Sequence, residues 1–429
     1  MKKVLICAYY WPPAGGPGVQ RWLKFATYLR DYGIEPVVYV PENAAYPLMD
    51  ANLLSEVPED ITVVKKPILE PAHILSRFAP RQARTMSSGI IPKPEKQSLL
   101  AKLLLYIRGN MFIPDARVLW VKPSVRFLRK YMKAHDITTV ITTGPPHSVH
   151  LIGYELQKQG LSWIADFRDP WTTIGYHKEL KLSAPSARKH IQMEKSVLRS
   201  ADHIIVTSRT TGVEFKRLTD KPITVITNGY DYRPAVLPQR DEKFTVSHIG
   251  SLLSQRNPQI LWEVLSDMVD EVPMFADCFE LHLAGAVSQE VVDAISSHKL
   301  DAYCRLHGYL PHDKALELQL KSQVLLLIEI NAPETRCIIP GKLFEYLVSG
   351  RPILAIGPEG SDFGPIVEET ATGVFVNYSE KQKIRDVLAK WFHAYLHHEL
   401  SVTPQHADKY SRKHLTGELA AVIRNVWES

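Results

Sequence analysis

Short apolar runs rich in β-branched residues alternate with longer amphipathic stretches along this chain. In the first half the runs cover residues 4–8, 36–40, 139–142, 163–165, 203–206 and 223–226. Helix-length segments separate them, the first with a helical period over residues 19–32. The alternation pauses at Asn228-Gly229-Tyr230-Asp231 and stays turn-rich through Pro234 and Pro238 to Lys243. It then resumes with runs at residues 244–249, 281–284, 324–328, 352–356 and 373–376, and ends in a helical pattern over 408–427. Repeated strand–helix–strand units predict parallel sheets covered on both faces. The polar pause between the two series predicts a domain boundary.

Length agrees with that division. The chain has 429 residues, and the size prior favours two domains of roughly 200 residues each. The expected fold class is therefore α/β, with two Rossmann-like doubly wound domains facing a cleft. Apolar residues make up 45% and charged residues 23%, which excludes a disordered chain. The net charge of +5 is mild, so no nucleic-acid partner is expected. Cys7, Cys278, Cys304 and Cys337 are far apart and form no CxxC pair. That spacing argues against a disulfide framework or zinc site and for a reducing compartment. The N-terminal apolar run stops at Trp11 before Pro12-Pro13, and reads as a buried first strand rather than a signal peptide. No apolar stretch approaches the ~20 residues of a membrane span. A cytoplasmic protein is expected.

In doubly wound sheets, ligands sit beyond the carboxyl ends of the strands. The loops there carry the candidate chemistry. Pro12-Pro13-Ala14-Gly15-Gly16-Pro17-Gly18 follows the first strand. Its glycines would let backbone N–H groups of Gly15 and Gly16 approach a phosphate or sugar. It is not the dinucleotide fingerprint, because the third glycine is replaced by Arg21. Gly144-Pro145-Pro146-His147 places His147 in the first turn of a helix, in reach of a substrate hydroxyl or phosphate. Asp166-Phe167-Arg168-Asp169-Pro170-Trp171 gathers two carboxylates and a guanidinium. Asp169 could orient a sugar or act as a base; equally, Arg168 could pair internally with one aspartate.

In the second half, Gly250-Ser251-Leu252-Leu253-Ser254-Gln255-Arg256 follows a strand, and Arg256 suits a diphosphate. Gly341, Lys342 and Glu345 open a later helix. Lys342 suits a phosphate and Glu345 a ribose diol; an ordinary helix start with Lys342 in solvent is the alternative. There is no DxD triplet and no HExxH, so neither a metal nor a cofactor is expected. The charge of a nucleotide diphosphate would fall to Arg256, Lys342 and backbone N–H groups.

Taken together, these loops resemble glycosyltransferase family 4, a group of retaining GT-B enzymes, over nearly the whole chain. Tyr10-Trp11-Pro12-Pro13 with Gly15-Gly16 is similar to that family's acceptor-side glycine loop. Gly250 with Arg256 six residues on is similar to its glycine and phosphate-binding lysine. Leu306-His307-Gly308-Tyr309-Leu310 resembles the loop that reads the nucleobase. The stretch from Gly341 to Pro352, with Phe344-Glu345-Tyr346, resembles its most recognisable helix, in which Glu345 would hold the donor ribose. The chain departs from the pattern twice. Cys337 stands where a first glutamate is common, and Ser251 where an arginine often follows the glycine, among the donor contacts.

The resemblance implies transfer of a hexose-type sugar from a UDP- or GDP-sugar to a hydroxyl of a glycan or lipid-linked acceptor. Anomeric configuration would be retained, in cell-surface polysaccharide synthesis. It implies an acceptor domain over residues 1–230 with 408–429 crossing back to it, and a donor domain over 235–407. His147, Asp169, Arg256 and Lys342 would serve the reaction; Gly15, Gly16, Ser251, Gly308, Tyr309, Gly341 and Glu345 would complete the donor contacts. Two rivals share the architecture: a non-hydrolysing sugar-nucleotide epimerase, and a catalytically silent nucleotide-sugar-binding subunit. Finally, residues 93–133 hold ten Lys/Arg against two Asp/Glu beside an apolar stripe. That composition suits an anionic membrane surface, the inner face of a plasma membrane being the expected one.

Overall fold

The computed structural model describes residues 1–70, 106–178, 180–231 and 238–428. They form two compact units, residues 1–228 with 412–429, and residues 229–411.

The first unit is built on seven parallel strands: β1 (Lys2–Cys7), β2 (Ile34–Pro41), β3 (Thr62–Lys66), β4 (Thr139–Gly144), β5 (Ser162–Phe167), β6 (His203–Val206) and β7 (Ile223–Val225). Their order is β3-β2-β1-β4-β5-β6-β7. The strand order reverses between β1 and β4, the place where such sheets open a crevice. Val4 to Cys7 are fully buried, which is why β1 reads as an unbroken apolar run and lies in mid-sheet.

Helix α1 (Pro17–Tyr28) starts with proline after Gly16, whose φ of 106° no L side chain adopts readily. It buries Val19, Trp22, Leu23, Phe25 and Ala26, one face of a 3.6-residue period. The C-terminal helix (Arg412–Glu428) packs Leu415, Leu419, Ile423 and Val426 into the same core. The chain thus returns to its first unit. On the other sheet face lie α2 (Val121–Ala134), α3 (Ser148–Gln157) and α4 (Ala184–Ser200), over a core containing Trp120, Trp163 and Trp171.

The second unit has six parallel strands: β8 (Phe244–Ile249), β9 (Phe279–Ala284), β10 (Cys304–Gly308), β11 (Val324–Ile328), β12 (Ile353–Gly357) and β13 (Gly373–Asn377), in the order β10-β9-β8-β11-β12-β13. Both sheets are doubly wound, as the alternating pattern predicts. Two strands lie outside the apolar runs. β3 and β10 are sheet edges with largely exposed side chains, so burial leaves no signature there. The stretch around Gly308 is accordingly not all loop, since its first residues complete β10.

Of the basic stretch 93–133, residues 93–105 lie outside the described residues. Arg117 is not available to a surface: it is buried, with its Nε 3.0 Å from Glu70 Oε1. Lys122, Arg126, Arg129, Lys130 and Lys133 of α2 are exposed. Among the described residues, no helix is long and apolar enough to cross a membrane.

Candidate functional site

In the first unit, the candidate residues meet at the carboxyl ends of β1, β4 and β5. Arg168 ties the loops together. Its Nε donates to Gly144 O at 3.3 Å, and its Nη2 donates to Pro145 O. The guanidinium lies so close to Gly18 that a Cβ there would sit 1.4 Å from Nη1. A side chain at position 18 would therefore displace the Arg168 guanidinium from its place.

The internal ion pair expected of Arg168 forms elsewhere. Asp166 pairs with Arg21, Nη2 to Oδ1 at 3.0 Å, and both are buried. Trp22 Nε1 and Thr143 Oγ1 also donate to this carboxylate, at 2.9 and 2.7 Å. Asp166 is thus a structural anchor, with no capacity left for a substrate. Asp169 differs. It is half-buried, and its carboxylate has no hydrogen-bond partner among the described residues. Burial pushes its pKa up, against the pull of Arg168.

His147 immediately precedes α3 instead of lying within its first turn. The N-terminus of α3 is already occupied by a carboxylate. Asp115 accepts from Ser148 N and from Ser148 Oγ, each at 2.8 Å. A phosphate is therefore a poor fit at that helix end, and a hydroxyl the better one. His147 is buried, and burial, with neighbouring His150 and Arg168, holds its pKa well below the ordinary value. In the glycine loop, the Gly15 N–H donates to Leu48 O at 3.0 Å. Gly15 is thereby removed from the ligand-binding donors, and Gly16 remains as the turn into α1.

In the second unit, three glycines with positive φ stack at the ends of β8, β9 and β10: Gly250, Gly285 and Gly308. Gly250 N donates to Ala284 O and Gly285 N to Gly308 O, both at 2.6 Å. A Cβ on Gly285 would lie 2.5 Å from Gly250 O, so the three backbones pack with no side chain between them. Gly285 carries no motif and was not singled out from sequence. The adjoining Tyr309 is 90% exposed, and Ser251 is exposed as well.

Lys342 reaches this cluster from the six-residue helix Lys342–Leu347, donating from Nζ to Ile249 O. A Cβ on Gly250 would sit 1.7 Å from Nζ. Lys342 is thus not simply in solvent. Burial and the nearby Arg256 push its pKa down to about 8, opposed by Glu345 and Glu329. Gly341 precedes this helix as its N-cap, and Glu345 lies in its first turn. The Glu345 carboxylate is half-buried and has no hydrogen-bond partner among the described residues.

Arg256 is committed to Glu329: Nη2 reaches Oε1 at 3.1 Å and Oε2 at 3.2 Å. Glu329 is buried and ends the apolar run of β11, an acidic residue at a strand's carboxyl end that a scan of strand ends would have found. The guanidinium keeps 32% of its side-chain exposure, so one edge remains available. Buried His248 lies on the same floor, with Nδ1 3.2 Å from Leu326 O. Cys337 Sγ is 3.5 Å from Glu334 O and supplies none of the charge that a glutamate would.

No family model matches the sequence, and no curated protein matches it. Solved structures do. A glycosyltransferase from Rickettsia africae aligns with TM-score 0.61 at 13% identity, covering 100% of this chain and 99% of its own. TarM aligns with TM-score 0.63 at 11% identity, covering 100% and 99%. Anabaena Alr3699/HepE, solved in complex with UDP-glucose, aligns with TM-score 0.58 at 14% identity, covering 99% and 100%. At these identities the likeness establishes the architecture: this chain has the two-unit GT-B fold over its whole length.

Proposed function

We propose that this protein is a glycosyltransferase that moves a sugar from a nucleotide-diphosphate donor to a hydroxyl of a glycan or lipid-linked acceptor, with retention. One observation carries the reading. A partly desolvated ammonium, Lys342, lies against the Gly250–Gly285–Gly308 backbone cluster, and the carboxylate of Glu345, without a hydrogen-bond partner among the described residues, lies in the same helical turn. The cation suits a diphosphate, and a carboxylate acceptor suits a ribose diol. The UDP-glucose bound to a protein of the same fold supports the donor class. Arg256, tethered by Glu329, would present its free edge to the departing diphosphate. In the first unit, Asp169 and His147 offer groups without hydrogen-bond partners among the described residues, suited to hydroxyls of an acceptor. The reaction expels a nucleoside diphosphate from an oxocarbenium-like transition state. The chain's contribution is then mainly to stabilise that leaving group.

A thermal-shift screen over nucleotides and sugar nucleotides tests the donor half. Ligand at 100 times its Kd stabilises by about 2.7 kcal/mol, so the preferred donor should stand out. The matching transfer assay should release nucleoside diphosphate only when acceptor is present. Isomerisation of the donor without acceptor would instead identify an epimerase, and binding without either reaction a silent subunit.

The lipid-linked acceptor brings a second expected result. The five exposed bases of α2 should hold the protein on anionic bilayers, at about 1 kcal/mol for each residue near the surface. In sedimentation with vesicles, binding should be strong with anionic lipid, weak with neutral lipid, and lost when Lys122, Arg126, Arg129, Lys130 and Lys133 are changed to glutamine. Equal, negligible binding to both vesicle types would remove the membrane from the account.

A further inference from the structure

His147 and His150 occupy neighbouring positions but have different surroundings. His150 is pinned, with Nδ1 3.0 Å from Thr142 Oγ1, which in turn accepts from Trp163 Nε1 at 2.7 Å. His147 has no partner at Nδ1 or at Nε2 among the described residues, although only 6% of the residue is exposed. Its position is set by a ring instead. The Trp171 indole stacks on it, with centroids 4.9 Å apart and planes 2° from parallel. An imidazole fixed by its face keeps both nitrogens for something else.

Trp171 lies in an irregular turn held by four hydrogen bonds. Glu194, from α4, accepts from the backbone N–H of Trp171 and of Thr172, each at 3.2 Å, both through Oε1. Its Oε2 accepts from the Thr172 hydroxyl. His190, one turn earlier on α4, accepts from Trp171 Nε1 at 3.2 Å. Glu194 and His190 are 2% and 1% exposed. A carboxylate is costly to bury, and this one forms no ion pair among the described residues. Its bonds all go to the turn that carries Trp171.

We propose that Glu194 and His190 are positioning residues, which clamp Trp171 against His147 and so fix the imidazole that meets an acceptor hydroxyl. The proposal rests on the glycosyltransferase reading for the identity of that hydroxyl, but not for the clamp. Burial keeps His147 uncharged at neutral pH, so an acceptor hydroxyl can accept from one nitrogen or donate to the other. Misplacing such a group by about 1 Å costs on the order of 10²-fold in rate.

The test compares Glu194→Ala, Glu194→Gln and Trp171→Phe in the full-length protein. Three readouts are needed: transfer kinetics with the wild-type protein's best donor and acceptor, UDP affinity by calorimetry, and imidazole resonances in long-range proton–nitrogen spectra. Glu194→Ala should lower kcat about 10²-fold while UDP affinity stays within about twofold, because the donor groups lie on the other unit. Glutamine retains an oxygen for both backbone N–H groups, so Glu194→Gln should restore most of the rate. Trp171→Phe keeps a ring face but loses the bond to His190, and should fall between the two. The His147 resonances should move in Glu194→Ala while those of His248 hold. A folded Glu194→Ala protein with wild-type kcat and unmoved His147 resonances would overturn the clamp. If no donor–acceptor pair supports transfer at all, the functional reading fails, and the spectra alone decide: displaced His147 signals uphold the clamp and unmoved signals refute it.

Discussion

Asp166→Ala should destabilise the first unit by about 3–5 kcal/mol, the cost of stranding one member of a buried ion pair. Arg21 and Asp166 are 3% and 0% exposed, so water cannot replace the lost partner. Arg21 also donates through Nη1 to Thr227 O at 2.5 Å, but a carbonyl does not neutralise its charge. Trp22 Nε1 and Thr143 Oγ1 would lose their acceptor at the same time. These groups belong to α1, β4 and β5, so one carboxylate joins three segments, and Arg21 extends the link to Thr227. Calorimetric unfolding of the full-length protein should show the transition of the first unit markedly lowered. The double change Arg21→Met with Asp166→Leu should recover part of the loss, since it removes both charges together. A loss below about 1 kcal/mol for Asp166→Ala, the usual scale of an exposed ion pair, would mean that solvent reaches the site.

The second large effect is on the donor side. Lys342→Met should weaken binding of UDP roughly ten- to a hundred-fold, the loss of a charge-assisted hydrogen bond. Methionine keeps most of the side-chain length, so the fold should tolerate it. The pH dependence has a definite sign. The ammonium titrates near pH 8 in the free protein, and a bound diphosphate favours its charged form. Affinity should therefore be full below about pH 8 and decline as the pH rises through it. Lys342→Met should be weak at every pH and lack this step. Titration calorimetry at several pH values checks both statements; a wild-type affinity that is flat from neutral to alkaline pH would place Lys342 outside the phosphate contacts.

The architecture was legible wherever burial writes a pattern. β1, β11 and β12 are buried, and each is an apolar run in the sequence. β3 and β10 are parallel strands too, but as edges they expose most of their side chains and look like loops. Position beyond the strand ends marks His147, Asp169, Lys342 and Glu345 as candidates. Their states were not legible, because those depend on residues distant in sequence. Asp166 looked like a partner for its neighbour Arg168 and instead pairs with Arg21, 145 positions away. Lys342 suits a phosphate by its place in the sequence, but that it reaches Ile249, 93 positions away, is not written there. Gly15 has the right residue type for ligand contact, yet its N–H is taken by Leu48. Gly285 belongs to no motif and matters only because Gly250 O would collide with any side chain there. Local propensity and periodicity carry no information about such pairings.

Isothermal titration of UDP into the wild-type protein, Cys337→Ala and Glu345→Ala tests the sugar-nucleotide assignment most directly. The Glu345 carboxylate has no hydrogen-bond partner among the described residues that its removal would strand, so the variant should fold as the wild type does. Its affinity should fall roughly ten- to a hundred-fold, by about 1.5–3 kcal/mol, as the ribose loses a charged acceptor. Cys337→Ala should bind like the wild type, because the thiol contributes no charge. Wild-type affinity in a folded Glu345→Ala protein, or no saturable binding of UDP or any other nucleoside diphosphate by the wild type, would contradict the account.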